Sequence, residues 1–214
     1  GMEKFNAIGF IGVGVMGETM CRNLASKFEE KILAYDMNPA PLGRLAAHGV
    51  TAVDAPDDLC ARAHTILLSL PDGGAVRRVC FGEKGLIANM SAGQCVIDAG
   101  TSPPQLAREL HAAYAAKGID FADAPVARTR QAAIDGTLSI MVGADADVFA
   151  RIRPILATMA SDITHCGGPG AGQIVKILNN MMLFQNCAAI AEALAIAGRA
   201  GLDEELFLQT VAKS

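Results

Sequence analysis

Two short stretches hold residues whose types and spacing could do chemistry. The first is Gly12-Val13-Gly14-Val15-Met16-Gly17, a G-x-G-x-x-G. Gly12 would allow a tight turn, Gly14 would let the backbone approach a pyrophosphate, and Gly17 would let a helix pack closely on a strand. If a helix opens here, its first turn, with Val15 and Met16, turns free N–H groups and a positive dipole end toward phosphate. The second stretch is Gly168-Pro169-Gly170 leading into AGQIVKILNN. It reads as a glycine-loosened turn feeding a helix in which Lys176 sits among Ile174, Val175, Ile177 and Leu178. Asn180 lies one helical turn further on, on the same face. A lysine and an asparagine stacked on an apolar helix are either a solvated stripe or a pair of working polar groups. The local residues leave both open.

The elements needed to position these groups can be read from hydrophobic pattern. Strands are expected at 7–11, 32–35, 65–68, 95–98, 118–123 and 138–142, and helices at 16–27, 41–48, 74–81, 103–117 and 146–158. Such alternation predicts a largely parallel sheet covered by helices on both faces, and continuous apolar strands fit that arrangement. The glycine motif then follows a strand and opens a helix, as a dinucleotide cradle requires, which makes the fold Rossmann-type. Asp36 ends the second strand about 20 residues beyond the motif, where an acidic residue can bind both ribose hydroxyls of NAD. It would repel the 2′-phosphate of NADP, and no Arg follows it in YDMNP, so NAD is favoured over NADP. The alternative is a turn-forming role for Asp36 before Asn38-Pro39.

From 171 to 199 the pattern becomes one long helix without proline, and Asp203 can cap another running toward Lys213. The expected organisation is an α/β doubly wound, mostly parallel sheet over residues 2–168, followed by the start of an all-α domain over 169–214. Two helices cannot hide both their apolar faces, so a homodimer or tetramer through the helical region is expected.

Bulk properties narrow the function classes. The 214 residues are 51% hydrophobic and 19% charged, which fits a globular chain. The net charge of −4, without a basic block, disfavours nucleic-acid and anionic-membrane partners. No run is read as membrane-spanning. The six cysteines are scattered, without C-x-x-C or zinc-type spacing, so free thiols, no metal site and a cytoplasmic location are expected.

The chain resembles the β-hydroxyacid dehydrogenase family, which includes 3-hydroxyisobutyrate dehydrogenase, tartronate semialdehyde reductase and, more distantly, 6-phosphogluconate dehydrogenase. The likeness is carried by GFIGVGVMGETMCRNL (9–24), Leu70-Pro71, VIDAGTSPP (96–104), Asp123–Val126, GTLSIMVGA (136–144) and GPGAGQIVKILNN (168–180). It implies NAD-dependent interconversion of a small β-hydroxy acid and its semialdehyde or keto form. Leu70 and Pro71 would line the cofactor groove, Thr101 would sit beside the nicotinamide, and Asp123–Val126 would lead into a substrate loop. Lys176 would be the catalytic acid/base and Asn180 would hold the substrate. The alternative is a cofactor-binding pseudoenzyme or scaffold of the same family.

Two departures matter. Where the family usually has Ser-Gly-Gly after DAPV, this chain has Ala127-Arg128-Thr129, which resembles the loop of sulfolactaldehyde reductases. Arg128 is therefore expected to clamp an anionic tail, carboxylate or sulfonate, with Ala127 and Thr129 beside it. Its alternative is facing solvent or pairing with Asp135 or another acid, and Arg130 is read as a surface residue in preference to a second contact. The family's helical domain also continues beyond the length of this one, which implies truncation.

Overall fold

Strand β1 (Ala7–Ile11) is buried at every position, and the computed structural model, which describes residues 4–213, gives the reason. Ile8 and Phe10 point into one apolar cluster, while Ala7 and Ile11 point into another on the opposite face. Leu67 and Ile66 of β4 divide the same way. A strand whose alternate side chains are both covered cannot show polar alternation.

In chain order β1 is followed by α1 (Val15–Lys27), β2 (Lys31–Tyr35), α2 (Pro39–Ala46), β3 (Thr51–Ala52), α3 (Pro56–Arg62), β4 (Ala63–Leu68), α4 (Gly73–Cys80), α5 (Leu86–Asn89), β5 (Cys95–Asp98), α6 (Pro104–Ala115) and β6 (Asp120–Asp123). These strands stand in the order β3-β2-β1-β4-β5-β6, all parallel. That is the order of the dinucleotide-binding double wind. Then come β7 (Val126–Ala127), α7 (Arg130–Asp135), β8 (Leu138–Gly143), α8 (Ala146–Leu156) and β9 (Ala160–Gly167). β8 runs antiparallel to β6 and β7, and β9 pairs with β8 in parallel.

Among the described residues, α9 (Ala171–Arg199) and α10 (Glu204–Val211) complete the chain. Asp203 caps α10, its carboxylate accepting the N–H of Leu206. Packing divides the chain into compact units after Lys176. The division expected at 168 falls at the end of β9. Hydrogen bonds that join Gly170 and Gln173 to Asp123 at the end of β6, and Gln173 to Gly100 and Ser102 just after β5, keep the first turns of α9 with the sheet.

One expectation needs correction. α9 is long and apolar enough to cross a membrane by length and composition, although no run was read that way from the sequence. Its apolar residues occur on every side, with Ile177, Leu178, Met182, Leu183 and Phe184 all exposed. All six cysteines are free, and burial pushes the thiols of Cys21, Cys80 and Cys95 up to about 12.

Candidate cofactor and active site

The glycine loop is built as its spacing predicts. Gly12 has φ +90, and a Cβ there would lie 2.2 Å from the Ser69 carbonyl oxygen. A Cβ on Gly17 would lie 2.0 Å from the Gly12 oxygen, so helix and loop meet backbone to backbone. Gly14 differs: a Cβ there meets nothing within 4 Å. It caps α1 without any side-chain acceptor. The first turn of α1 thus opens onto free space on the side where a phosphate would come.

That space is a cavity of about 800 Å³. Gly12, Gly14, Val15, Met16 and Gly17 form its floor, Tyr35, Asp36 and Met37 one wall, and Leu70, Pro71, Ala75, Arg78 and Val79 the other. Leu70 and Pro71 thus line this cavity. Thr101 is exposed in the segment after β5 and is not part of this lining. Asp36 forms the turn named as its alternative role. One carboxylate oxygen accepts the Val13 N–H at 2.8 Å and tightens the glycine loop, and the other accepts the Asn38 N–H at 2.8 Å and forms the turn. Each oxygen keeps a lone pair that a ribose hydroxyl could use. The cradle, the open Gly14 and the acidic wall together fit a dinucleotide.

The catalytic candidate lies on α9. Lys176 is half-buried, and desolvation lowers its pKa from the ordinary lysine value. The flanking Val175, Ile177 and Leu178 are exposed. Asn180, also half-buried, follows one turn along the same helix.

The substrate-loop candidates have structural duties. Ala127 belongs to β7 and pairs with Ser139 of β8. Thr129 caps α7, its hydroxyl accepting the Ala132 N–H at 3.2 Å. Among the described residues, Arg128 is the one non-glycine residue with positive φ, at +85. Its guanidinium donates to the Thr137 carbonyl at 2.9 Å and the Ser161 hydroxyl at 2.8 Å, and pairs with Asp162. The structure therefore has the pairing with an acid, and Asp162 is the partner. Arg130 is exposed and lines a neighbouring cavity of about 830 Å³, which shares Gly14 and Val15 with the first, together with Arg22, Arg44 and His48.

Sequence reasoning did not identify four buried polar residues: Asp98, Ser102 and Gln173, and Asp123 as more than a lead-in to the loop. All are at least nine-tenths enclosed. Asp98 accepts the Ser102 hydroxyl at 2.9 Å and the Gly100 N–H at 3.0 Å, yet burial still pushes its carboxyl up to about 6. The only local signal was an amide, Gln173, in the first turn of a glycine-headed helix.

Comparison with known proteins agrees with this geometry. Residues 7–168 match the NAD-binding domain of 6-phosphogluconate dehydrogenase, and residues 170–214 match the NAD-binding region of NADP-dependent 3-hydroxyisobutyrate dehydrogenase. The chain belongs to the β-hydroxyacid dehydrogenase family. It is 38% identical to 2-(hydroxymethyl)glutarate dehydrogenase of Eubacterium barkeri over all of its own length and 70% of that enzyme's. It is 38% identical to 3-sulfolactaldehyde reductase of Escherichia coli (strain K12) over 87% of this chain and 62% of that one. The solved structure of 3-hydroxyisobutyrate dehydrogenase from Mycobacterium tuberculosis, determined with L-serine, superposes with a TM-score of 0.91 at 34% identity, covering 98% of this chain and 71% of that one. This family of oxidoreductases shares the mostly parallel sheet followed by helices described above.

Proposed function

We propose that this β-hydroxyacid dehydrogenase homologue interconverts a small β-hydroxy acid, bearing a carboxylate or a sulfonate, with its semialdehyde or keto form, using NAD in preference to NADP. The observation that carries the reading is Lys176, half-buried on the helix after the Rossmann sheet, with burial lowering its pKa. Hydride transfer to or from an alcohol carbon needs a group that takes the hydroxyl proton in oxidation and returns it in reduction, and an amine with a depressed pKa does this near neutrality. NAD, when bound, accepts or supplies the hydride. Lys176 accepts the hydroxyl proton as the C–H bond gives up its electron pair and the carbonyl forms, and Asn180 holds the substrate oxygen. Gly12, Gly14, Val15, Met16 and Gly17 hold the pyrophosphate, Asp36 the ribose, Leu70 and Pro71 the groove wall, and Thr101 the nicotinamide side. Ala127, Arg128 and Thr129 face the substrate tail. Names of relatives support this substrate class: hydroxymethylglutarate and sulfolactaldehyde both pair an anionic tail with a small oxygenated end.

The exposed apolar surface of α9 and α10, including Phe184, Ile190, Ile196 and Leu206, supports a second copy of the chain packing there. The free thiols support a cytoplasmic setting.

The test is a screen of small hydroxy acids and semialdehydes followed by NADH absorbance, with Lys176→Ala as the control. The variant should lose turnover and keep wild-type NAD affinity, because the proton-transfer group is separate from the phosphate cradle. Turnover at a tenth of the wild-type rate or more would move the role to another residue.

A further inference from the structure

The first turn of α9 has no cap of its own. Gly170, at φ +88, precedes it and brings no side chain. The open amides of that turn are met instead by a carboxylate from the sheet. Asp123, the last residue of β6, is fully buried. Its Oδ1 accepts the Gly170 N–H at 2.7 Å and its Oδ2 accepts the Gln173 N–H at 2.9 Å. Gln173, also fully buried, ties the same turn to a second strand end. Its Oε1 accepts the Ser102 N–H at 3.0 Å and its Nε2 donates to the Gly100 carbonyl at 2.8 Å. Ser102 and Gly100 in turn both donate to Asp98, the last residue of β5. An unbroken hydrogen-bonded chain thus joins the C-terminal ends of β5 and β6 through the helix. The fit leaves no slack. A Cβ on Gly143 would lie 2.4 Å from Asp123 Oδ1, and one on Gly172 would lie 2.3 Å from the Met141 carbonyl oxygen.

We propose that Asp123 and Gln173 are positioning residues, which latch the first turn of α9 to the sheet and so fix Lys176 at the edge where the strands end. The proposal rests on the reading of Lys176 as the acid/base.

Position 170 cannot carry a capping side chain: it is buried, its backbone is left-handed at φ +88, and a Cβ there would lie 3.1 Å from the Pro104 carbonyl oxygen. The cap therefore comes from the sheet. A carboxylate on β6 caps the helix and anchors it in one contact. Its burial is costly unless it meets several donors and a helix N-terminus, and both are supplied here. Desolvation raises the Asp123 pKa, while the Gly170 and Gln173 amides pull it back. Gln173 fits the same logic: being neutral, it bridges a donor and an acceptor on the segment after β5 without adding a second buried charge. The C-terminal ends of parallel strands are where ligands bind in this architecture, so a helix fastened there presents its side chains to the reaction.

The test uses the full chain with Asp123→Asn and, as the milder change, Gln173→Met. Backbone hydrogen exchange is followed over residues 168–178. The Lys176 amine is titrated by NMR of ¹³C-labelled lysine, with Lys176→Arg assigning its signal. NAD affinity reports on the intact cradle. Loss of the latch should speed exchange in that segment by roughly 10- to 100-fold, the factor lost with a charge-assisted hydrogen bond. It should also return the Lys176 titration toward ordinary lysine, with NAD affinity and the exchange of β1 and α1 unchanged. If Asp123→Asn does not fold, Gln173→Met decides by the same two readouts. Wild-type exchange and wild-type Lys176 titration in a folded variant would overturn the latch. Turnover that survives Lys176→Ala, with the latch signals lost in Asp123→Asn, would instead overturn the proposed function and leave the latch standing.

Discussion

Three glycines of one motif should fail in two different ways when each is changed to alanine. At position 14 the backbone is extended, with φ −67, and an added Cβ meets no protein atom. Stability should change by no more than about 0.5 kcal/mol, or rise slightly because the unfolded chain loses freedom. The new methyl group nevertheless stands where a pyrophosphate must approach. Losing one amide contact to a charged group costs about 1.5–3 kcal/mol, so NAD should bind roughly 10- to 150-fold more weakly. At position 12 the left-handed backbone costs a side chain about 1–2 kcal/mol, and relieving a clash costs about 1–3 kcal/mol more. The clash there is with the Ser69 carbonyl oxygen, 2.2 Å away. The sum, about 2–5 kcal/mol, corresponds to a melting temperature lower by roughly 4–20 °C. Gly17→Ala should resemble Gly12→Ala, since its Cβ would lie 2.0 Å from the Gly12 oxygen.

The assay is thermal unfolding of each variant without cofactor, followed by NAD titration at a temperature where all remain folded. The reasoning is refuted if Gly14→Ala melts as far below wild type as Gly12→Ala. It is refuted equally if Gly14→Ala binds NAD as tightly as wild type. Either result would mean that the open space above Gly14 is not the phosphate site.

Other expectations test single residues. NADH should bind more tightly than NADPH by fluorescence titration, and Asp36→Ala should narrow the difference while loosening the glycine loop; equal affinities in wild type would remove Asp36 from the ribose. Asp98 has a folded pKa of about 6, above its ordinary 3.8, so the folded state alone holds this proton between those values. Its contribution to stability is therefore lost as pH rises through that window. On going from pH 7 to pH 4, wild type should gain up to about 3 kcal/mol relative to Asp98→Asn in urea unfolding, and a pH-independent difference would contradict the raised pKa. Arg128→Ala should raise KM for an anionic substrate by roughly 10- to 100-fold and leave a neutral aldehyde unaffected; equal KM values for both enzymes would leave Arg128 as a loop anchor only.

Much of the sheet was legible because its strands are covered on both faces. β1 and β5 begin and end where the apolar runs do. β9 was missed because it carries Ser161, Asp162, Thr164 and His165 and, among the described strands, pairs with β8 alone, so a half-solvated strand left no apolar run to read. α7 was hidden in what looked like a loop, since its boundaries rest on the Thr129 cap and on Gly136 in the left-handed region. The cofactor cradle was legible for a related reason: its chemistry lies within six consecutive residues. The latch was not. Asp123 meets Gly170 and Gln173 across 47 and 50 residues, and no spacing rule connects them. The motif around Asp123 stood out through resemblance, but its cap on a distant helix is visible only when β6 and α9 are seen together.

Arg128 joins these two kinds of information. Its φ of +85 explains why the family's loop carries glycine there, since a side chain in that region costs about 1–2 kcal/mol. Three hydrogen bonds, to Thr137, Ser161 and Asp162, offset that cost. They do not make the guanidinium unavailable. The pair with Asp162 is solvent-exposed on both sides, and such pairs contribute about 0–1 kcal/mol. A carboxylate or sulfonate held in a closed site offers about 1.5–3 kcal/mol for each charge-assisted hydrogen bond. On the proposed function, an anionic substrate competes with Asp162 for the guanidinium, and a neutral one does not. The exposed ion pair with Asp162 is then the contact that an anionic substrate has to displace.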